Sequence, residues 1–435
     1  MKTKTVILGS TLIMLSTGLT ACSLTNSTET TSSAVTSVDT EEANTEYFSS
    51  VDLTDTYDAA AASTINLSGT SATASGDGVS VDGSVVTISS GGTYILSGES
   101  NGVQLLITAA DTDTVQVVVT SAEGSKNSLE DSADRTATDY SAAIYSKSAI
   151  TFNGSGELTV TGNYNNAIKG KKDIKFTGGT YTVTSTVKHA VSANDNLSIC
   201  DTTMTLSSVK SALYADNEDD TSLGNVYIQS GNFIINAGKK GVHASNNLTV
   251  DGGSFDIQSS FEGFEGKVVT INDGEISIVA SDDGMNATDW ASTAGEMQAQ
   301  EGVSLVINGG IITITADGDG IDSNNDLTIT GGTITVNGPT SNGDGALDYD
   351  GTATITGGTF MAIGSAGMAQ GLNGEASTQM SFKVDVSGSE GDTITVKDAN
   401  GETIYTYTAT RVFGNIVLSA SDLKEGETYT IEVNG

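Results

Sequence analysis

Short segments in which apolar and polar residues alternate run along most of this chain. In the stretch that starts at Gly320, the apolar residues Leu327 and Ile329 are two positions apart, and so are Ile334 and Val336 beyond a Gly-Gly pair. A period of two is typical of β-strands, and the wider spacing of an amphipathic helix is nearly absent. The chain is therefore predicted to be all-β, with many short strands joined by tight turns.

The alternating segments belong to a repeat of about 22 residues, best seen in "GIDSNNDLTITGGTITV" from residue 320 and "GVHASNNLTVDGGSFDI" from residue 241. Strands this short cannot each bury an apolar face, so the units are expected to stack on one another. A stack of about ten units predicts a parallel β-helix whose coils lie about 4.8 Å apart. Leucine-rich repeats have a similar period but need a Leu-Leu-Asn consensus that is missing from this chain, and propeller blades are longer.

The N-terminal residues have the features of an export signal. Residues 1–21 combine two lysines, an apolar run and small residues before Cys22, which is typical of a bacterial lipoprotein whose processed chain starts at a lipid-carrying Cys22. Residues 22–60 are rich in Ser, Thr and acids and are predicted to be a disordered tether. An ordinary secreted protein and a glycosylated stalk are the alternatives.

The rest of the chain is divided by where the repeat begins and ends. We assign an N-terminal cap with the first coils to residues 61–142, the β-helix to 143–375 and a C-terminal β module to 376–435. The module contains an Asn-Gly pair at 400–401 that predicts a hairpin. Caps of this kind protect the open ends of a β-helix, which are sheet edges.

The composition is strongly acidic. The 18 basic and 54 acidic residues give a formal charge of −36, which argues against nucleic acid as a partner and favours cations. Cys22 and Cys200 are the only cysteines, so the processed, lipid-carrying chain has no pair left for an intramolecular disulfide.

Stacking predicts that equivalent positions of successive coils form columns. One column contains Lys169, Ser192, Tyr214, His243, Glu265, Asn286, Asp322, Asp348 and Asn373. The columns are basic in the early coils and acidic in the later ones, and carboxylates about 4.8 Å apart repel unless a cation neutralises them. Because Ca²⁺ takes carboxylate, amide and carbonyl oxygens, we predict calcium ligands at Glu262, Glu265, Asp283, Asp319, Asp322, Asp344 and Asp348. The alternative is that these acids are solvated turn residues.

Candidate sugar contacts lie in the same columns and in the longest insertion, 286–302. Lysines stacked in the early coils suit uronic-acid carboxylates, with pairing to adjacent acids as the alternative. The aromatic residue of the insertion suits stacking on a sugar ring or anchoring of its loop. The predicted carbohydrate contacts are Trp290, Tyr214, Tyr349, Lys188, Lys210 and Lys239.

Catalytic motifs are sparse. The two arginines, Arg135 and Arg411, lie away from the columns, and neither His189 nor His243 has a nucleophile beside it. The chain also lacks a recognisable pectin-hydrolase motif around its paired carboxylates. The sequence therefore favours binding over catalysis.

Three segments resemble bacterial lipoproteins with a carbohydrate-binding β-helix domain, a family similar in fold to polysaccharide lyases: "NNAIKGKKDIKFTGGTYTV", "GVHASNNLTVDGGSFDI" and "GDGIDSNNDLTITGGTITV". The resemblance covers about residues 55–435. It implies a right-handed parallel β-helix that holds calcium and binds cellulose or acidic plant polysaccharides, without established catalysis. The matching acids are Asp319 and Asp322 in "DGDGID", Asp344 and Asp348 in "GDGALD" and Asp283 in "DDGMN".

These observations predict a monomeric, lipid-anchored cell-surface protein that binds plant cell-wall polysaccharide through a calcium-stabilised β-helix. Two alternatives remain open at this point. One is a calcium-dependent lyase or hydrolase acting on pectic glycans, and the other is a surface adhesin or spacer without a glycan ligand.

Overall fold

The computed structural model describes residues 1–8, 43–54, 56–120, 126–134, 140–295, 297–372 and 374–435. These residues form 41 β-strands and no helix, which confirms the predicted all-β class. Accordingly, a helix long and apolar enough to cross a membrane is absent from the described ranges. Cys22, Asn373 and most of the predicted signal peptide and tether lie outside them.

From residue 142 onward, each repeat contributes one strand to each of three parallel ladders. The strands of the first ladder are Ala142–Ser146, Asn166–Gly170, Val191–Ala193, Leu213–Ala215, Lys240–Ala244, Glu262–Gly266, Met285–Ala287, Ile321–Ser323 and Leu347–Tyr349. Those of the second are Ala149–Asn153, Ile174–Thr177, Asn196–Cys200, Asn225–Ile228, Asn247–Val250, Val268–Ile271, Ser304–Ile307, Asp326–Ile329 and Ala353–Ile355. Those of the third are Glu157–Gly162, Thr180–Ser185, Thr202–Ser208, Gly231–Ala237, Ser254–Ser260, Glu275–Ala280, Ile311–Ala316, Thr333–Asn337 and Thr359–Gly364.

Strands at the same position of successive repeats pair in parallel. Ile168 is opposite Val191 in the first ladder, for example, and Val191 is in turn opposite Leu213. Inward-facing apolar residues of all three ladders form one continuous buried cluster, as the alternation predicts. In the third ladder, for instance, Ile312 and Ile314 are buried whereas Ile311 is exposed.

Glycines mark the places where backbones of successive repeats come closest. A Cβ atom at Gly320 would lie 2.2 Å from Val336 Cγ1, and one at Gly284 would lie 2.4 Å from the carbonyl oxygen of Gly320. No side chain fits at these distances without moving backbone. Gly320, the second glycine of the "DGDGID" segment, is therefore required by close packing, whether or not the neighbouring acids bind a ligand.

The strands between residues 63 and 130 lie at the start of the ladders. Two antiparallel hairpins pair Ser63–Gly69 with Ser71–Ser75 and Val79–Asp82 with Val85–Ile88. The remaining strands before the repeat, Gly92–Asn101, Gln104–Ile107, Thr114–Val119 and Asn127–Glu130, pair in parallel with their neighbours. The strands at 85–130 thus pair in parallel with one another and with the first ladder strands of the repeat.

The other end is closed by antiparallel strands with a separate apolar core. The last strand of the third ladder pairs with Phe413–Ser419, which also pairs with Ser381–Gly388. A four-stranded sheet is completed by strands in the order Lys2–Ile7, Thr428–Asn434, Thr393–Lys397 and Thr403–Thr408. The pairing of the last two strands confirms the hairpin predicted at 400–401.

Residues 43–54, which the sequence assigned to the tether, pack against the second ladder. The Phe48 side chain is 1% exposed and lies in a small apolar cluster with Cys200 and Tyr227. The ring of Tyr47 stacks on that of Tyr227 with centroids 3.6 Å apart. Two adjacent aromatic residues supply enough apolar surface to dock a segment whose average composition is polar.

A buried carboxylate fixes the end of the same segment. Asp52 accepts hydrogen bonds from Thr151 Oγ1 at 2.6 Å and from Lys175 Nζ at 2.9 Å. Burial alone would raise the pKa of Asp52, but these bonds together with those from Ser49 outweigh burial and hold it below its ordinary value. The segment is therefore held by apolar and ionic contacts together.

The docked segment makes a prediction about Cys200, whose thiol pKa is raised to about 12 by burial and by nearby carboxylates. In a chain with Cys22→Ser, Phe48→Ala is expected to speed alkylation of Cys200 at least about tenfold and to lower the free energy of unfolding by about 3 kcal/mol. The control is Tyr57→Ala at a partly exposed position. Equal alkylation rates in both variants would show that Phe48 does not cover the thiol.

Candidate functional site

The outward-facing residues of the first ladder form the column that the sequence predicted. The strand register aligns Lys169, Ser192, Tyr214, His243, Glu265, Asn286, Asp322 and Asp348. A second predicted column is held by backbone hydrogen bonds from Lys210 N to Lys188 O at 2.8 Å and from Lys239 N to Lys210 O at 3.1 Å. The polar face therefore changes from basic to acidic along the ladder.

The basic part of the face is a groove of about 720 Å³ with Lys169 and Lys188 in its wall. Lys169 Nζ donates to Ser192 Oγ at 3.1 Å and to Asn194 Oδ1 at 2.5 Å. Burial, and then the charges of Lys171 and Lys188, lower the pKa of Lys169 to about 8. The groove therefore carries both signs of charge, because four lysines share its wall with the carboxylates of Asp195, Asp216, Glu218, Asp219 and Asp220.

The other two lysines of the predicted strip lie outside this groove. Both Lys210 and Lys239 are exposed. The Nζ atom of Lys239 lies 4.6 Å from the centre of the Phe261 ring, in a cation–π contact. Of the three predicted lysine contacts, the structure brings only Lys188 to the groove wall.

Three stacked rings follow the lysines. The ring of Tyr214 lies between those of His189 and His243, with centroid distances of 4.1 and 4.6 Å. The Tyr214 hydroxyl donates to Asp216 Oδ2 at 2.6 Å. Burial, together with the charges of Lys188 and Lys169, lowers the pKa of His189 to about 3, so its ring is neutral. This stack separates the basic part of the face from the acidic part.

The sign of the charge changes at a buried cluster. Lys240 Nζ donates to Glu262 Oε1 at 2.9 Å and also contacts Glu265, which in turn pairs with His243 Nδ1. Burial and the neighbouring Glu265 raise the pKa of Glu262. Burial opposes ionisation of Glu265 as well, but hydrogen bonds from His243 and Glu262 lower its pKa. Glu265 is therefore already neutralised by protein groups.

Aspartates of the later repeats bond to the backbone of the next repeat. Asp283 Oδ1 accepts a hydrogen bond from Asp319 N at 2.8 Å, and Asp319 Oδ1 accepts one from Gly345 N at 2.7 Å. These bonds join residues 36 and 26 positions apart, so they link successive repeats and are not the local turns of the alternative interpretation. Each aspartate still has a second carboxylate oxygen with which to meet a ligand.

These aspartates lack sufficient positive charge around them. Burial, and then neighbouring carboxylates, raise the pKa of both Asp283 and Asp319 to about 7 and that of Asp322 to about 9. The charge of Asp344 contributes to the rise at Asp283 and Asp319. The pKa of Asp348 is also raised by burial, although Gln370 donates a hydrogen bond to it. The acidic columns thus favour a bound proton or a cation.

One group of oxygens fits a cation. Ligand atoms of Glu262, Asp282 and Asp283 all lie within 4.8 Å of one another. In the described part of the chain, Glu262 Oε2 and Asn286 Oδ1 are buried and have no hydrogen-bond partner. Carboxylate and amide oxygens are the ligands that calcium accepts. Asp282 was not among the predicted ligands, although its place beside Asp283 in "SDDGMN" is visible in the sequence.

The two longest insertions of the repeat meet over the centre of the face. They form the walls of a pocket of about 470 Å³, to which one contributes Asn217, Glu218 and Leu223 and the other Asp289 and Trp290. The floor comes from the ladder residues Tyr214 and His243 and from Lys267, which directly follows a ladder strand. Because the two insertions are far apart in the sequence, the sequence did not reveal this pocket.

Trp290 is the exposed aromatic residue of this pocket, with 70% of its surface accessible. The Nζ atom of Lys240 lies 5.0 Å from its ring centroid. The insertion is held instead by Lys267 Nζ, 2.8 Å from Asp289 Oδ2, and by a hydrogen bond from Asp289 N to Gln300 Oε1 at 2.7 Å. The indole is therefore available for contact, while other groups hold its loop.

Tyr349 does not face this pocket. It aligns with the buried Ser323 on the inner side of the first ladder, next to the outward-facing Asp348. Its hydroxyl donates to the carbonyl oxygen of Gly371 at 2.6 Å. Neighbouring strand residues point to opposite faces, so a position one residue away from the column is turned inward.

The raised pKa of Asp322 gives a pH-dependent prediction. Between pH 3.8 and about 9 the folded chain keeps the Asp322 proton, whereas the unfolded chain releases it. The stability that the protonated Asp322 contributes is therefore complete below pH 3.8 and is lost as the pH rises towards 9. In metal-free buffer, Asp322→Asn is expected to gain about 2–4 kcal/mol of unfolding free energy relative to the wild-type chain between pH 4 and pH 9. Urea titrations would measure it, with the exposed Glu275→Gln as control. A pH-independent difference would contradict the prediction.

Two comparisons with known proteins agree with a carbohydrate-binding domain. A family model described as "Carbohydrate-binding domain-containing protein" matches residues 116–304. A protein of Acetivibrio thermocellus with the same description is 32% identical over an alignment of 124 residues. The match covers 22% of this chain and 43% of that protein, so the chain spans less than half of the relative's length. A solved structure, the gadolinium derivative of the polysaccharide lyase-like protein from C. thermocellum, matches with 21% identity and a TM-score of 0.34, over 68% of this chain and 98% of that chain. Over residues 116–304, the chain is therefore similar to carbohydrate-binding domains, as the sequence resemblance predicted.

Proposed function

We propose that the chain binds polysaccharide along the polar face of the first ladder, with the pocket between the two insertions at its centre. The convergence of both insertions on one exposed indole carries this proposal. A sugar ring has an apolar face that stacks on an aromatic ring and hydroxyls that bond to amide and charged groups. Trp290 supplies the first kind of contact, and Asn217, Asp289 and Lys267 supply the second.

Plant cell-wall glycans are the proposed ligands, either cellulose or acidic pectic chains. The groove beside the pocket carries both lysines and acids, so Lys169 and Lys188 can pair with the carboxylates of an acidic chain, while its acids can accept hydrogen bonds from sugar hydroxyls. Binding is proposed rather than pectic lyase or hydrolase chemistry. The two glutamates with opposite pKa shifts, Glu262 and Glu265, are only 4% and 0% exposed and are held by Lys240.

Calcium is proposed to bind the acidic end of the face. Support comes from the mutual approach of Glu262, Asp282 and Asp283 and from the buried oxygens of Glu262 and Asn286 that lack hydrogen bonds. A divalent cation would replace the protons that these carboxylates hold and would link neighbouring repeats. Asp319, Asp322, Asp344 and Asp348 extend the same charge and are proposed as further ligands, whereas Glu265 already has protein partners.

The three ladders are proposed to form a right-handed parallel β-helix of about ten coils, because parallel crossover connections are right-handed in about 98% of cases.

The protein is further proposed to act as a monomer at the cell surface. In this proposal, residues 1–21 are removed on export and Cys22 carries a lipid. The chain between Cys22 and the docked segment at 43–54 would then join the lipid to the folded body.

Retention on immobilised glycans tests the binding proposal. A chain with Cys22→Ser is expected to be retained on polygalacturonate or cellulose, and Trp290→Ala is expected to weaken retention at least about tenfold. Met297→Ala is a matched control, because Met297 is exposed in the same insertion but does not line the pocket. Loss of retention in both variants, or in neither, would argue against stacking on Trp290. Unsaturated products or new reducing ends would favour the enzyme instead.

Thermal unfolding in calcium and in chelator tests the metal proposal. At a calcium concentration about 100 times the dissociation constant, the folded state is expected to gain about 2.7 kcal/mol. Asp283→Asn is expected to remove most of this gain, whereas Asp273→Asn, an exposed residue outside the cluster, should keep it. Binding at pH 7 should also release protons, because the pKa of Asp322 is raised to about 9. A calcium effect equal in both variants would exclude Asp283 as a ligand.

A further inference from the structure

The edge of the C-terminal sheet has an unusual cover. Strand Thr428–Asn434 pairs on one side with Thr393–Lys397 and on the other with Lys2–Ile7, both antiparallel and without a register shift. Six residue pairs, from Lys2 opposite Val433 to Ile7 opposite Thr428, join the first strand to this edge. The cover is therefore supplied by residues that are proposed above to be removed on export.

The covering strand uses few of its side chains. Leu8 is 5% exposed and belongs to the apolar core of the module, and Val6 packs against the same core. The backbone continues the pairing beyond the strand, with Leu8 N donating to Glu427 O at 3.1 Å and Gly426 N donating to Leu8 O at 2.8 Å. Lys2 Nζ donates to the carbonyl oxygen and hydroxyl of Ser387, each at 2.8 Å.

The edge strand itself has no device that discourages pairing. Residues 428–434 contain no proline and a single charged residue, Glu432, whose carboxylate pairs with Lys397 Nζ at 2.7 Å. Proteins commonly protect exposed edges with prolines, bulges or inward-pointing charges. Without Lys2–Ile7, this strand presents a straight row of backbone donors and acceptors beside an uncovered apolar core.

We propose that this edge is a docking site for an extended segment of a partner protein, which adds as an antiparallel strand in the place of Lys2–Ile7. The proposal rests on the removal of residues 1–21 described under the proposed function. It does not depend on glycan binding, since the module has its own core. Strand addition of this kind gains its affinity from backbone hydrogen bonds and its specificity from side chains that enter pockets on one face.

The strand present in the structure defines the chemistry of the partner. Apolar residues are required where Val6 and Leu8 meet the core, and a cation is favoured where Lys2 reaches Ser387. Of residues 2–7 only Val6 is partly buried, so the other positions, including Thr3 and Ile7, face solvent and accept polar residues. The fitting partner is thus an extended segment with a basic start and an alternating apolar end, such as "KTKTVIL".

Strand exchange in the cleaved full chain tests this proposal. A protease site inserted within residues 9–42 is cut after folding, and a fluorescent peptide KTKTVILGS is then added in excess. We expect either that the severed strand stays bound during gel filtration or that the labelled peptide is captured saturably. The uncut chain should capture none, because its own strand covers the edge. Release of the severed strand without capture of the peptide would overturn the proposal.

Two methylated peptides separate strand addition from non-specific apolar binding. Because Leu8 N–H points to the edge strand, the alternating N–H of Lys4 does so as well, whereas that of Thr5 points away. N-methylation at Lys4 is expected to weaken capture at least about tenfold, and N-methylation at Thr5 to leave it nearly unchanged. Equal affinity of the two peptides would overturn the proposed pairing. Glycan retention of the same cleaved sample shows separately whether the first ladder still functions.

Discussion

Parallel pairing between equal positions of successive repeats is the constraint on which this structure depends. A strand of the first ladder has only one neighbour on each side, and the register decides which side chain lies above which. Since a shift by one residue would turn the apolar residues outward, the register is strongly fixed by the core. Small residues follow from the same constraint, because Gly284 and Gly320 lie where two backbones nearly touch.

A fixed register also fixes the charges. Residues of like charge in one column cannot move apart without breaking the ladder, so their repulsion appears as raised pKa values at Asp283, Asp319 and Asp322. The same rigidity allows Lys240 to be held between two glutamates where the basic and acidic parts meet. The electrostatic gradient along the face is therefore a property of the stacking, and the proposed ligand or cation would meet positions that are already in place.

Much of this arrangement could be predicted from the sequence, because a period of two and a repeat of about 22 residues determine which residues share a column. The alignment of Glu265, Asp322 and Asp348 was correct for that reason. Tyr349, predicted as a weaker sugar contact, follows Asp348 directly and lies on the inner side of the strand, because neighbouring strand residues point to opposite faces. The pocket around Trp290 joins two insertions whose loop conformations no repeat specifies. The docking of residues 43–54 was not predicted, because the average composition of the tether is polar and conceals the two adjacent aromatic residues, Tyr47 and Phe48.

The docked segment at 43–54 has a mechanical consequence. Its contacts reach Thr151, Lys175, Cys200 and Tyr227, which belong to four successive strands of the second ladder. Tension on the chain before residue 43 is therefore delivered across the flank of several repeats at once, as a shear load. Force applied to the end of a ladder would instead peel one strand at a time. The docked segment therefore gives the folded body a resistance to pulling on its N-terminal chain that its thermodynamic stability alone does not measure.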